Sequence, residues 1–313
     1  MLKRGIKALI ALVLLALLVR GVDWDQAQAT LKHVSIPALA VTLVAMIWEL
    51  GLSAWKWLWT LRMHGLEYRF GYLFQVLTKG YFINNFLPTA VGGDAYRAFR
   101  TMPSDGFKSR AVSAVLLDRV SGLLALLSWG AVAACWLWSE SPVARWYLSL
   151  CLAGGGAGLA LLFIVYKGWL KALSNRVRHL AVFSAIEHNI NYLKQARTEW
   201  VYVVALSLTF QATSIGIVYW LFGRIDYPVA VAACALMTAA AGVAAILPVS
   251  INGIGVMEGS LVGMAVALGV EYDAALVVAI LRRLLMVALS ILCGAMFVID
   301  REPQATARAS AAS

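Results

Sequence analysis

Charge is what this chain has least of. Asp, Glu, Lys and Arg make up only 13% of its 313 residues, against 62% hydrophobic, and the mean hydropathy is +0.79. A soluble domain of this length carries about twice that share of charge. The composition therefore excludes a soluble globular class and indicates an all-α polytopic membrane protein. Cysteine is scarce too. Cys135, Cys151, Cys234 and Cys293 lie in apolar segments without CxxC spacing, so they read as small hydrophobes in helix packing. His33, His64, His179 and His188 fall in predicted loops or at the surface, with no metal-ligand or nucleophile–base spacing. No GxxxxGK[ST] loop occurs, so ATP is not the direct energy source, and no cofactor is expected.

The formal charge of +10 is a matter of topology rather than of nucleic-acid binding. Basic residues gather in alternate loops, for instance at Lys3, Arg4, Lys7, Arg62, Arg69, Arg97, Arg100, Lys108 and Arg110, and again at Lys167–Lys194 and Arg301. The opposite loops hold only Arg20, Lys32, Arg145 and Arg224. By the positive-inside rule both termini are expected in the cytoplasm, and the membrane is expected to be a bacterial inner membrane.

Apolar runs predict full spans over 6–19 (an uncleaved first span, since no small-residue cleavage site follows), 37–60, 111–138, 146–166, 200–222 and 274–299. Gly154 and Gly158 stand at GxxxG spacing, which predicts a close helix contact. Residues 167–199 place apolar side chains at steps of three and four, the pattern of an amphipathic helix on the membrane or against the bundle. The expected organisation is one integral membrane domain over 1–302, with a first half to 138, a second half from 139, and a disordered tail over 303–313.

Two stretches break the apolar pattern. One runs Asn84-Asn85-Phe86-Leu87-Pro88-Thr89-Ala90-Val91-Gly92-Gly93-Asp94-Ala95-Tyr96-Arg97 and the other Leu247-Pro248-Val249-Ser250-Ile251-Asn252-Gly253-Ile254-Gly255-Val256-Met257-Glu258. Each reads Leu-Pro, a spacer, glycines and then an acid. Basic loops flank 71–97 on both sides, so it is expected to be a re-entrant hairpin with two legs of about 13 residues. Residues 228–270 hold the second interrupted pair, with two full spans as the open alternative. Interrupted segments entering from opposite faces are the pattern of an inverted repeat whose halves form a midplane site.

Ionisable residues at membrane depth mark a functional site by default. They are Glu49, Lys56, Lys79, Asp94, Asp118, Arg119, Glu258, Arg282 and Arg283. Lys56 lies near a helix end and is expected to snorkel, whereas Glu49 sits mid-segment. Acid–Arg pairs holding the bundle together are one reading of the set. However, the adjacent Arg282 and Arg283 need more anionic compensation than one acid supplies, and a phosphate would complete it. Gly92, Gly93, Gly253 and Gly255 are expected to free backbone N–H groups for an anion, helped by a helix starting near Asp94; the plainer reading is that they only turn the chain.

Asn84-Asn85-Phe86-Leu87-Pro88 with Gly92-Gly93-Asp94 and Arg97, then Leu117-Asp118-Arg119-Val120-Ser121-Gly122, then the second break with Asn252 and Glu258, resemble the lysylphosphatidylglycerol synthase transmembrane (flippase-like) family. The resemblance implies movement of anionic or modified lipids between leaflets, with phospholipid, hopanoid or polyprenyl-linked substrates. Members are either fused to an aminoacyl-transferase or stand alone, and this chain is expected to be a stand-alone member. The expected function is a lipid transporter, with Lys79, Asn84, Asn85, Pro88, Gly92, Gly93, Asp94, Arg97, Asp118, Arg119, Asn252, Gly253, Gly255, Glu258, Arg282 and Arg283 around an anionic headgroup. An intramembrane lipid-modifying enzyme, or a scaffold for an envelope-biosynthesis enzyme, is the alternative.

Overall fold

The computed structural model describes residues 34–86, 92–103, 108–166, 197–246 and 250–299. Among these residues every regular element is a helix and no strand occurs. In chain order the helices are α1 (Ile36–Met63), α2 (Phe70–Phe86), α3 (Gly92–Arg100), α4 (Lys108–Trp136), α5 (Pro142–Tyr166), α6 (Arg197–Arg224), α7 (Val231–Ile246), α8 (Val256–Ala267) and α9 (Tyr272–Ile299). A single 3-10 turn, Ile251–Gly253, separates α7 from α8. The predicted span over 6–19, the amphipathic segment up to 196, the tip carrying Pro88 and the tail over 303–313 lie outside the described residues.

Helices α1, α4, α6 and α9 are long and apolar enough to cross a membrane. Each has 28 or 29 residues, about 42 Å at the α-helical rise, against a hydrocarbon core of about 30 Å. The start of α1 follows from local chemistry. Ser35 caps it, its Oγ accepting from the Ala38 amide at 3.4 Å, and Pro37 stands in the first turn, where no N–H is needed. Large apolar side chains such as Ile36, Trp48, Trp136, Trp146 and Leu150 point outward. In water so much exposed apolar surface would be a liability; on a membrane protein it is the face that meets lipid. Inside, Trp57, Leu61, Phe222, Leu236 and Leu276 are closed off in a core shared by the long helices.

The two interrupted regions form short helices. The first leg, α2, has 17 residues and the second, α3, only 9, about 26 Å and 14 Å, so the legs are unequal rather than near 13 each. The reason is polarity: α3 reads Gly-Gly-Asp-Ala-Tyr-Arg-Ala-Phe-Arg, and its charges are paired inside the protein. In the second region α7 has 16 residues and α8 has 12, about 24 Å and 18 Å, so neither is long enough for the full-span alternative.

Packing brings these pieces together. The most extensive helix contact is α1 on α6; α7 packs on both α8 and α4, and α9 packs on α2, α8 and α1. The first interrupted region meets the second, because α2 touches the turn Ile251–Gly253 as well as α9. Among the described residues nothing lies within 4 Å of where a side chain at Gly154 would sit.

Candidate functional site

The polar interior divides into two groups of charges. The first centres on Asp118 of α4. Its Oδ1 lies 3.0 Å from Lys56 Nζ of α1, and Lys56 also donates to the Asp118 carbonyl at 2.9 Å. Arg97 of α3 donates from Nη2 to Asp118 Oδ2 at 3.0 Å and from Nη1 to Asp94 Oδ1 at 3.4 Å. Its guanidinium sits 4.3 Å from the centre of the Trp57 ring, a cation–π contact. Arg119 then grips Asp94 with both Nε and Nη2, each at 2.8 Å, in the bidentate geometry that guanidinium and carboxylate favour. Lys56, Arg97 and Asp118 are buried. The Arg119 side chain keeps 56% of its surface open, so it is the member reachable from outside.

Close backbone contact holds this group in place. The Gly93 amide donates to Asn84 Oδ1 at 2.7 Å, tying the start of α3 to the end of α2. A side chain at Gly93 would stand 2.3 Å from the Gly80 carbonyl and 2.7 Å from the Asn84 side chain, so only glycine permits the approach. Lys79 is buried on α2 one residue before Gly80.

The second group lies on α8 and α9. Before α8 the chain takes positive φ at Asn252 (47°), Gly253 (70°) and Gly255 (78°), the tight reversal that the glycine-rich motif suggests. This reversal aims the first turn of α8 at α9. Glu258 Oε2 accepts from the Gly255 amide at 2.7 Å, closing the helix start, while Oε1 accepts from Arg283 Nε. Arg283 Nη2 rests 3.6 Å from Met257 Sδ, and its Nη1 is buried with no hydrogen-bond partner among the described residues. Arg282 donates from Nη2 to Ser214 Oγ of α6 at 3.0 Å. Around these side chains is a small recess of about 10 Å³, with Glu258, Arg282 and Arg283 as its polar lining and Met257, Leu261 and Met286 among its apolar walls.

The family described as lysylphosphatidylglycerol synthase TM region matches residues 5–294. The chain belongs to that family. Members of the lysylphosphatidylglycerol synthase transmembrane family are membrane domains associated with lipid flippase- or synthase-like function. Comparison with curated proteins finds no match.

Within this family member the expected site residues separate into those two groups. Asn84, Gly93, Asp94, Arg97, Asp118 and Arg119 come together with Gly92 on one side. Asn252, Gly253, Gly255, Glu258, Arg282 and Arg283 come together on the other. Asn85 falls near the end of α2, and Pro88 lies outside the described residues. The amides of Gly93 and Gly255 are engaged inside the protein, by Asn84 and Glu258, rather than turned toward a ligand.

Three participants were underweighted or absent in the sequence reading. Lys56 does not snorkel; it is buried against Asp118. Ser214 is an ordinary polar residue in a long apolar run, with no local signal. Glu49 faces Arg282 and Ser214, and its Oε1 is buried without a hydrogen-bond partner among the described residues. Its mid-segment position marks it as costly to bury, but nothing local in the sequence ties it to Arg282. His64, expected in a loop or at the surface, is fully buried where α1 ends, its Nδ1 2.6 Å from the Thr60 carbonyl. Among the described residues no group of His, Cys, Asp and Glu is arranged to hold a metal ion.

Proposed function

We propose that this chain is a lipid transporter that moves an anionic, phosphate-containing lipid between the leaflets of a bacterial inner membrane. The observation that carries the reading is the recess on α9. Two adjacent arginines stand about 15–17 Å along a helix of about 42 Å, and the Nη1 of Arg283 has no hydrogen-bond partner among the described residues. A buried guanidinium donor without an acceptor is costly, and a phosphate oxygen is the acceptor that its forked geometry suits. The recess is small as it stands, about 10 Å³, the room one water needs, so a headgroup must part its walls to reach the arginines while the acyl chains remain in lipid.

In this reading α2–α3 and α7–α8 are the two broken hairpins of an inverted repeat, with both termini cytoplasmic, and the headgroup crosses where they meet. Contact between α2 and the turn Ile251–Gly253 supports that meeting point. Arg119 is the outward member that meets a headgroup first. A transporter is favoured over an enzyme because Asp94, Asp118 and Glu258 are each committed to arginine or lysine.

The test is reconstitution in liposomes with fluorescent phosphatidylglycerol, followed by chemical quenching of the outer leaflet. Wild-type protein is expected to expose inner-leaflet label faster than protein-free vesicles. Arg283→Ala is expected to slow exchange by about tenfold or more, the loss of a single charge-assisted contact or greater. Gly154→Ala, where nothing lies nearby, serves as the control. Wild-type rates equal to those of empty vesicles would sink the reading.

A further inference from the structure

Among the acids of the two charge groups, Asp94, Asp118 and Glu258 have both carboxylate oxygens engaged in hydrogen bonds or ion pairs. Asp94 is held by Arg119 and Arg97 and Glu258 by Arg283 and the Gly255 amide; Asp118 Oδ2 accepts from Arg97, and its Oδ1, without a hydrogen bond, is ion-paired to Lys56 at 3.0 Å. Glu49 differs. Among the described residues its buried Oε1 has no hydrogen-bond partner and no ion pair, although Arg282 and Ser214 lie beside the carboxyl. Arg282 is the hinge of the arrangement: one side of it lines the recess, and the other donates to Ser214.

The charge balance of this group then constrains what can bind. With Glu49 ionised, Glu258 and Glu49 together match Arg282 and Arg283 and the group is neutral. A phosphodiester settling on the arginines then adds one negative charge in a region where uncompensated charge is expensive. Either the anion is rejected or one acid gives up its charge. The acid with an oxygen outside any hydrogen bond or ion pair is the one that can accept a proton without breaking either.

We propose that Glu49 is the proton-carrying group of the anion site, taking up one proton when an anionic headgroup settles on Arg282 and Arg283 and returning it when the headgroup leaves. The inference rests on the lipid-transporter reading and adds its coupling. The step balances simply: water supplies the proton, an O–H bond forms on the Glu49 carboxyl, and the phosphate takes over the electrostatic hold on Arg282. Headgroup and proton enter together, and their charges cancel.

The groups facing Glu49 are Arg282 from α9, Ser214 from α6 and Tyr81 from α2. On α4, also packed against α1, Asp118 and Arg119 are held in the first group by Lys56, Arg97 and Asp94. Lys56 is two helical turns from Glu49, about 10 Å along α1, and is itself bound to Asp118. None of these substitutes for Glu49 as the proton acceptor.

The experiment is calorimetric titration of the purified, detergent-solubilised protein with dihexanoyl phosphatidylglycerol, in buffers of different ionisation enthalpy and across about pH 5 to 9. The probe's phosphodiester does not titrate in that range, so any proton taken up belongs to the protein. Wild-type protein is expected to absorb about one proton per lipid bound above the carboxyl's midpoint, with Kd rising about tenfold per pH unit there. Glu49→Gln is expected to bind without proton uptake and with an affinity flat in pH. Binding by the wild type without proton uptake at any pH overturns the inference, as does an unchanged pH slope in Glu49→Gln. Should that variant fail to fold, the wild-type proton count decides alone. Absence of wild-type binding overturns the lipid-site reading instead, so the two failures are distinct.

Discussion

Glu49 and Lys56 stand seven residues apart on one face of α1, and each reaches a different charge group. Seven residues are almost two full turns, so the side chains point the same way about 10 Å apart. Lys56 ends on Asp118 of α4, while Glu49 faces Arg282 of α9. One rigid helix therefore lends a cation to the group around the first chain break and an acid to the group around the second. The two interrupted regions share α1 as a common wall.

Asp118 is the counter-charge for two buried cations, Lys56 and Arg97. Asp118→Ala is expected to destabilise the protein by about 3–5 kcal/mol, the cost of stranding buried charge. Removing a stranded partner as well, in Lys56→Met with Asp118→Ala, is expected to recover part of that loss. Thermal unfolding in detergent checks both. A single variant as stable as wild type would contradict the buried pairing.

Gly93 and Gly154 make an opposed pair. At Gly93 a methyl group meets the Gly80 carbonyl and the Asn84 side chain, so Gly93→Ala is expected to cost about 1–3 kcal/mol through overpacking. At Gly154 there is open space, and Gly154→Ala is expected to stay within about 0.5 kcal/mol of wild type or to stabilise. Melting curves of the two variants measured side by side test the contact between α2 and α3.

Arg283 lines the recess with a divided guanidinium: Nε serves Glu258, while the buried Nη1 has no hydrogen-bond partner among the described residues. Lysine keeps the charge but lacks the fork, so it cannot divide in this way. Arg283→Lys is expected to slow lipid exchange by about tenfold while moving the melting temperature less than Arg283→Ala does. Full exchange activity with lysine would show that charge alone suffices there.

Ser214 stands between Glu49 and Arg282. Ser214→Ala removes a hydrogen bond from a charged donor, a loss of about 1.5–3 kcal/mol in stability. Because the same hydroxyl lies beside the proposed proton carrier, the pH midpoint of lipid binding is expected to move as well. Stability and pH profile measured together separate a packing role from a part in the coupling.

The Gly93 and Gly255 motifs illustrate what could be read in advance. Leu-Pro, glycines and an acid in an apolar chain announce a break, because such residues end helices and turn the backbone whatever surrounds them. The lengths of the resulting pieces were less legible. Equal legs were expected over 71–96, yet α3 is short and polar, since its Asp94 and Arg97 are neutralised by α4 rather than avoided by lipid. His64 misled for a related reason: proximity to a helix end suggested a loop, but neighbouring helices close over it.

The amino-acid sequence by itself determined the membrane class, the places where helices break, and which charged residues must be shielded from lipid. These follow from composition and local backbone preference, which act along the chain. Who shields whom was decided only in the tertiary structure. Lys56 and Asp118 are 62 residues apart, and Arg283 meets Glu258 across 25. Every buried acid attracts every buried base about equally well on paper. Helix packing, by fixing which faces touch, selects the pairs, and in doing so leaves one oxygen of Glu49 and one nitrogen of Arg283 without hydrogen-bond partners among the described residues.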